Sequence, residues 1–124
     1  MLRKNNVDVL LIDDEAPFLN DLAEGLRLNS QRLQVITATT AEKALEMLRT
    51  CKFDVVLTDL NMPGINGYQV LREVEQRHPG TPVIIMSAYA RNAVADRLEG
   101  LRFTGYLEKP LDLREVTEAI LDAG

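Results

Sequence analysis

The chain has 124 residues, 46% of them hydrophobic and 27% charged, and a net charge of −5. That length is enough for one hydrophobic core, the composition excludes a disordered chain, and no apolar run approaches the ~20 residues of a membrane span. The acidic balance argues against direct binding of nucleic acid, which needs phosphate-neutralising Lys and Arg, while the single cysteine, Cys51, excludes an internal disulfide and fits a reducing cytosol.

In chain order, the opening "MLRKNNVDVLLIDDE" follows its short apolar run with acids instead of a small-residue cleavage site. No secretory signal is read there, and a cytoplasmic protein is expected. Val7–Ile12 predicts a first strand. Phe18, Leu22 and Leu26 then recur every four residues behind Asp14, an N-cap residue type, with Pro17 tolerated in the first turn. Leu33–Ala38 predicts the second strand, and Ala41, Leu45 and Leu48 a helix capped by Thr39 or Thr40. Phe53–Thr58 predicts the third strand, and Leu71 and Val74 mark a helix that stops before "HPGTP". Pro82–Ser87 predicts the fourth strand, with a helix on Val94, Leu98 and Leu101. Phe103–Glu108 predicts the fifth, with a helix on Leu113, Val116 and Ile120. Five successive strand–helix units imply an α/β domain, a parallel sheet covered by helices on both faces. One domain spanning 1–124 is expected, with no output domain in the chain.

In such a sheet, ligands bind beyond the carboxyl ends of the strands, where strand order reverses. The first strand ends in Asp13-Asp14, the third in Asp59, the fourth in Ser87, and the fifth in Lys109-Pro110. The second ends in Ala38-Thr39 and delivers no charge. Three converging carboxylates repel unless a cation is present. Mg²⁺ takes oxygen ligands and is usually held by one or two carboxylates with a phosphate. A carboxylate can also serve as nucleophile and become an aspartyl phosphate. Lys109 would then act as a point charge on a phosphoryl oxygen, and the Ser87 hydroxyl would donate to another.

The set Asp13-Asp14, Asp59 within "DLNMPGINGYQVL", Ser87-Ala88, Tyr106 and Lys109-Pro110 resembles the response-regulator receiver domain of two-component signal transduction, from Val7 to about Leu121. The resemblance implies a flavodoxin-like, doubly wound, five-stranded sheet of order 2-1-3-4-5 with five helices. It implies that Asp59 accepts a phosphoryl group from a sensor histidine kinase or phosphotransfer protein. Asp14, Asp59 and the backbone carbonyl of Asn61 would ligate Mg²⁺, with Asp13 acting through the metal's waters. Ser87 and Lys109 would contact phosphoryl oxygens, and small Ala88 would leave the site accessible. Tyr106 would follow Ser87 as the switch aromatic, and the Lys109–Pro110 peptide would be cis. Asn61 and Tyr89 would shape the access of hydrolytic water. An output domain or downstream protein would read the repacked face of the fourth helix, fifth strand and fifth helix, with room for a phosphorylation-dependent homodimer.

Taken singly, each motif has a plainer account. Asp13, Asp14 and Glu15 suit a helix N-terminus, Asp59 and Asn61 suit a turn before Pro63-Gly64, Ser87 could merely end a strand, and Lys109-Pro110 could be a surface turn. Tyr106 could be a half-exposed strand aromatic. Turns do not select Asp-Asp, Asp, Ser and Lys at successive strand tips, and this arrangement decides for chemistry. His78, before Pro79-Gly80, reads as a helix C-terminal residue and not a phosphorelay histidine, and Cys51 reads as packing. A flavodoxin-type cofactor binder would need a phosphate cradle after the first strand, where this chain has "DDEAPF". "TDLN" is also similar to the start of the haloacid-dehalogenase motif, but that motif needs a second Asp where Asn61 stands. An interaction module that is never phosphorylated would not need the complete pocket.

Overall fold

A computed structural model describes residues 6–60 and 67–123. Five strands, β1 (Val7–Ile12), β2 (Leu33–Ala38), β3 (Val55–Asp59), β4 (Val83–Ser87) and β5 (Gly105–Glu108), form one parallel sheet of order β2-β1-β3-β4-β5. Helices α1 (Ala16–Asn29), α2 (Ala41–Thr50), α3 (Gly67–Arg77), α4 (Ala95–Leu98) and α5 (Leu113–Ala123) alternate with them, and a 3₁₀ turn, Arg91–Val94, leads into α4. None of these helices is long and apolar enough to cross a membrane.

The three inner strands are the ones with the most continuous apolar runs. Every residue of β3 and β4 is buried, and β1 departs from this only at Asp8. Edge strand β2 alternates buried and exposed residues instead. Alternate residues of the inner strands feed two cores. Val9, Leu11, Leu57, Ile84 and Met86 pack beneath α1 and α5, against Leu19, Leu22, Leu26, Val116 and Ile120. Leu10, Ile12, Val56 and Ile85 pack beneath α2, α3 and α4, against Ala44, Leu48, Leu71, Val74 and Leu98.

Local chemistry sets the helix starts. Thr40, one of the two expected caps, accepts the Lys43 N–H at 3.1 Å. Asp112 does the same for α5, accepting from Arg114 and Glu115 at 2.8 and 3.2 Å. Asp14 does not cap α1. Glu15 holds the cap position without a side-chain bond, and Asp13, the residue that leaves β1, takes the Glu15 N–H at 2.9 Å.

Three element expectations need correction. The third strand starts at Val55, not Phe53, and Asp59 is its last residue, at the strand tip as expected. The fifth strand starts at Gly105, not Phe103. The fourth helix stops at Leu98: Gly100 turns the chain with φ 81, and Leu101 reaches the core from the loop.

Candidate functional site

Strand register brings the expected residues to one edge. Ile12 lies opposite Thr58, Asp59 opposite Met86, and Ser87 opposite Glu108. Asp13 is therefore level with Asp59, Ser87 stands one residue further along and Lys109 two. β2 and β3 flank β1 on opposite sides, so strand order reverses here. The crevice between the β1 and β3 ends is where ligands of open α/β sheets bind.

Asp13 is fully buried, Asp59 is 7% exposed, and Asp14 faces solvent. One oxygen from each of these three carboxylates lies within 4.8 Å of the others. Lys109 Nζ donates to Asp13 Oδ2 at 2.7 Å and stands 3.7 Å from Asp59 Oδ2. The ammonium also lies 4.6 Å from the centroid of the Phe18 ring. Burial works against the charge on Lys109, but the hydrogen bond to Asp13 and the charges of Asp59, Asp13 and Glu15 outweigh it and raise the pKa. Among the described residues, the site therefore holds one fixed cation against three acids.

That imbalance is the test of a metal here. One ammonium cannot neutralise three carboxylates, and the donors are all hard oxygens at a spacing one ion can bridge. The residues fit Mg²⁺ or a similar divalent cation. Asn61, the expected carbonyl ligand, lies outside the described residues.

Gly67, first residue of α3, makes the close approach of that helix possible. A Cβ there would collide with the Asp59 carbonyl oxygen and stand 2.8 Å from Leu60 Cα. The Gly67 N–H donates to the Leu60 carbonyl at 3.2 Å, fastening α3 to the chain just past Asp59. From sequence alone Gly67 is one glycine of a turn-rich stretch; the contact becomes visible when the end of β3 and the start of α3 are set side by side.

A second set of contacts runs away from the acids. Ser87, buried at the end of β4, accepts the Tyr89 N–H on its hydroxyl at 3.0 Å. The Ser87 carbonyl accepts the Lys109 N–H at 2.7 Å. Tyr106, half-buried on β5, donates its phenolic hydrogen to the Tyr89 carbonyl at 2.7 Å. Tyr89 is thus held by Ser87 at its amide and by Tyr106 at its carbonyl, while its own side chain is exposed. Ala88 is exposed, and the Lys109–Pro110 peptide is cis. His78 lies apart from this edge, its Nε2 2.8 Å from the Leu48 carbonyl. Cys51 is exposed at the end of α2, so its expected packing role is not met.

Comparison with known proteins agrees with this geometry. The family model described as response regulator receiver domain matches residues 9–121. Transcriptional regulatory protein GlrR of Escherichia coli (strain K12) is 38% identical over 117 residues, which are 93% of this chain and 26% of GlrR. Photosynthetic apparatus regulatory protein RegA of Cereibacter sphaeroides is 32% identical over 116 residues, 94% of this chain and 62% of RegA. The chain thus spans about a quarter of the length of the first such relatives, 26% for GlrR and 23% for response regulator protein FleR of Pseudomonas aeruginosa. Among solved structures, a response regulator receiver domain protein from Clostridium thermocellum superposes with TM-score 0.81 at 31% identity, covering 94% of this chain and 93% of that one. Response regulator protein TrrA from Thermotoga maritima, solved in complex with Mg(2+)-BeF, gives TM-score 0.82 at 25% identity, with 95% and 99% covered.

Proposed function

The chain belongs to the response regulator receiver domain family, and from that premise we propose that it is a phosphorylation switch with Asp59 as phosphoacceptor. The observation that carries this reading is the position of Lys109 Nζ, 2.7 Å from Asp13 and 3.7 Å from Asp59 at the reversal point of the sheet. The donor is a sensor histidine kinase, a phosphotransfer protein, or a small acyl phosphate such as acetyl phosphate.

An Asp59 carboxylate oxygen attacks phosphorus in line. A new P–O bond forms, and the P–N bond of phosphohistidine, or the P–O bond of acetyl phosphate, breaks with its electron pair leaving on the donor. Lys109 moves from Asp13 to a phosphoryl oxygen and stabilises its charge. Asp14, Asp59 and the Asn61 carbonyl would hold Mg²⁺, with Asp13 acting through water. When bound, the cation neutralises these acids and the phosphoryl oxygens. TrrA, solved with Mg(2+)-BeF on the same fold, supports this assignment.

Readout begins at Ser87. Its hydroxyl accepts from Tyr89 in the unphosphorylated arrangement, and a phosphoryl oxygen, a stronger acceptor, draws that hydroxyl away as a donor. Tyr89 loses its amide anchor, and Tyr106, bonded to the Tyr89 carbonyl, repacks with it. The face of α4, β5 and α5 changes, and an output domain, a downstream protein or a second copy reads the change. Water later attacks phosphorus and returns Asp59, with Asn61 and Tyr89 bordering its approach. Both reactions take place on the protein's own side chain, so it acts as a signalling domain that modifies itself.

Incubation with acetyl phosphate and Mg²⁺ is expected to add one phosphoryl mass to the intact protein. EDTA or Asp59→Asn should abolish the addition. Undiminished labelling of Asp59→Asn at another residue would remove Asp59 from its role.

A further inference from the structure

Phe18 opens the apolar stripe of α1 and packs at the edge of its core, yet neither that stripe nor the phosphorylation chemistry calls for an aromatic ring in particular. Its neighbours on the core side of α1 are Leu19, Leu22 and Leu26, all buried. Phe18 is instead half-buried in the first turn, with its ring beneath Lys109 Nζ at 4.6 Å. An ammonium within ~6 Å of a ring centroid is attracted by the negative face of the ring.

The environment of Lys109 has three sides. Asp13 Oδ2 takes one N–H at 2.7 Å, Asp59 Oδ2 attracts at 3.7 Å, and Phe18 supplies the ring. The side chain is only 16% exposed, so water competes weakly with these contacts. The bond to Asp13 is directional and must break when the ammonium turns to a phosphoryl oxygen. The ring contact is not, because a cation can slide across the face without losing it. Lysine has a flexible four-carbon stem and a strongly hydrated head, and a ring that stays in contact keeps the head from swinging into solvent during the exchange.

We propose that Phe18 is a positioning residue for Lys109, holding the ammonium over the carboxylate edge in both the resting and the phosphorylated arrangements. This rests on the reading of Lys109 as the group that contacts the phosphoryl oxygens.

The test compares Phe18→Leu, which keeps apolar packing but loses the ring, with Phe18→Tyr and Phe18→Trp, which keep it. The readouts are the rate of acetyl-phosphate labelling with Mg²⁺, the affinity for beryllofluoride, and the proton shifts of the Lys109 ε-methylene. Phe18→Leu is expected to lose roughly two- to thirtyfold in rate and affinity, the range from an exposed to a desolvated ammonium–ring contact. The ε-methylene should lose its ring-current shift in Phe18→Leu alone, and Tyr and Trp should restore rate, affinity and shift together. In a Lys109→Met background, Phe18→Leu should cause no further loss. Equal behaviour of Leu and Phe, loss in Trp as large as in Leu, or an undiminished Leu effect in Lys109→Met would each overturn the proposal. If Lys109→Met itself labels and switches like wild type, the reading of Lys109 falls instead, and the ring-current shift still reports whether the contact exists.

Discussion

Lys109 has a structural role beside the one proposed for it. Its ammonium satisfies Asp13, a carboxylate with no exposure to solvent. Removing it leaves a buried acceptor unpaired, which costs about 1–3 kcal/mol. Lys109→Met is therefore expected to lower thermal stability at neutral pH, to keep Mg²⁺ binding at wild-type strength or above, and to lose most of the phosphorylation-driven change. A Met variant that switched normally would contradict the role given to Lys109. The pH dependence follows from the raised pKa. A raised lysine stabilises the fold fully below its unfolded value and loses that contribution as pH climbs through the folded one. The stability gap between wild type and Lys109→Met should stay constant across neutral pH and close only above the ordinary lysine value of 10.5. A gap that closed near neutrality would contradict the ion pair. Gly67 offers a separate test. A methyl group there must displace the Asp59 backbone, so Gly67→Ala should slow acetyl-phosphate labelling more than it slows any reaction away from this edge. Unchanged labelling would contradict the close approach described for Gly67 and Asp59.

Among the elements, the short α4 contrasts with the buried strands. It has four residues, too few to stand on helix propensity, and its anchors to the core are Val94 and Leu98. Amide exchange should be fast across Arg91–Leu98 in the unphosphorylated protein and slow across Val9–Leu11 and Val55–Leu57. Uniform protection would contradict a loosely held readout element. Tyr106→Ala should still be labelled at Asp59, since among the described residues its hydroxyl bonds to the Tyr89 carbonyl and to none of the acids. Collapse of labelling would place Tyr106 in the chemistry. The strands were the most legible part of the chain. Continuous apolar runs such as "VDVLLI" mark strands buried on both faces, and the acids and lysine at their tips are sharp local signals. Other features depend on contacts that no local pattern encodes. Phe18 reads as one more apolar helix position until β5 brings Lys109 over it. Arg27 donates to the Val35 carbonyl at 2.6 Å and blocks part of the β2 edge, a contact that joins residues eight apart in the chain. The end of α4 is hidden in the pattern, because Leu101 keeps helical spacing from Leu98 while Gly100 adopts a conformation that side chains disfavour.

At the scale of the molecule, the sheet separates support from chemistry. Its two faces bury α1 and α5 on one side and α2, α3 and α4 on the other. A large-to-small change such as Leu57→Ala, in the fully buried β3, should cost about 2–5 kcal/mol. Chemical denaturation should report that loss while the site keeps its Mg²⁺ affinity under native conditions. Equal stability would contradict the packing described. The carboxyl edge, by contrast, concentrates three acids around one lysine, and the proposed function gives that edge a cation and a phosphoryl group to hold. The most direct test of that claim is a crystal structure of the protein with Mg²⁺ and beryllofluoride. The account predicts density bonded to an Asp59 carboxylate oxygen, with Lys109 Nζ moved from Asp13 onto a fluorine. Beryllofluoride bound elsewhere, or Asp59 unmodified at saturating reagent, would contradict it.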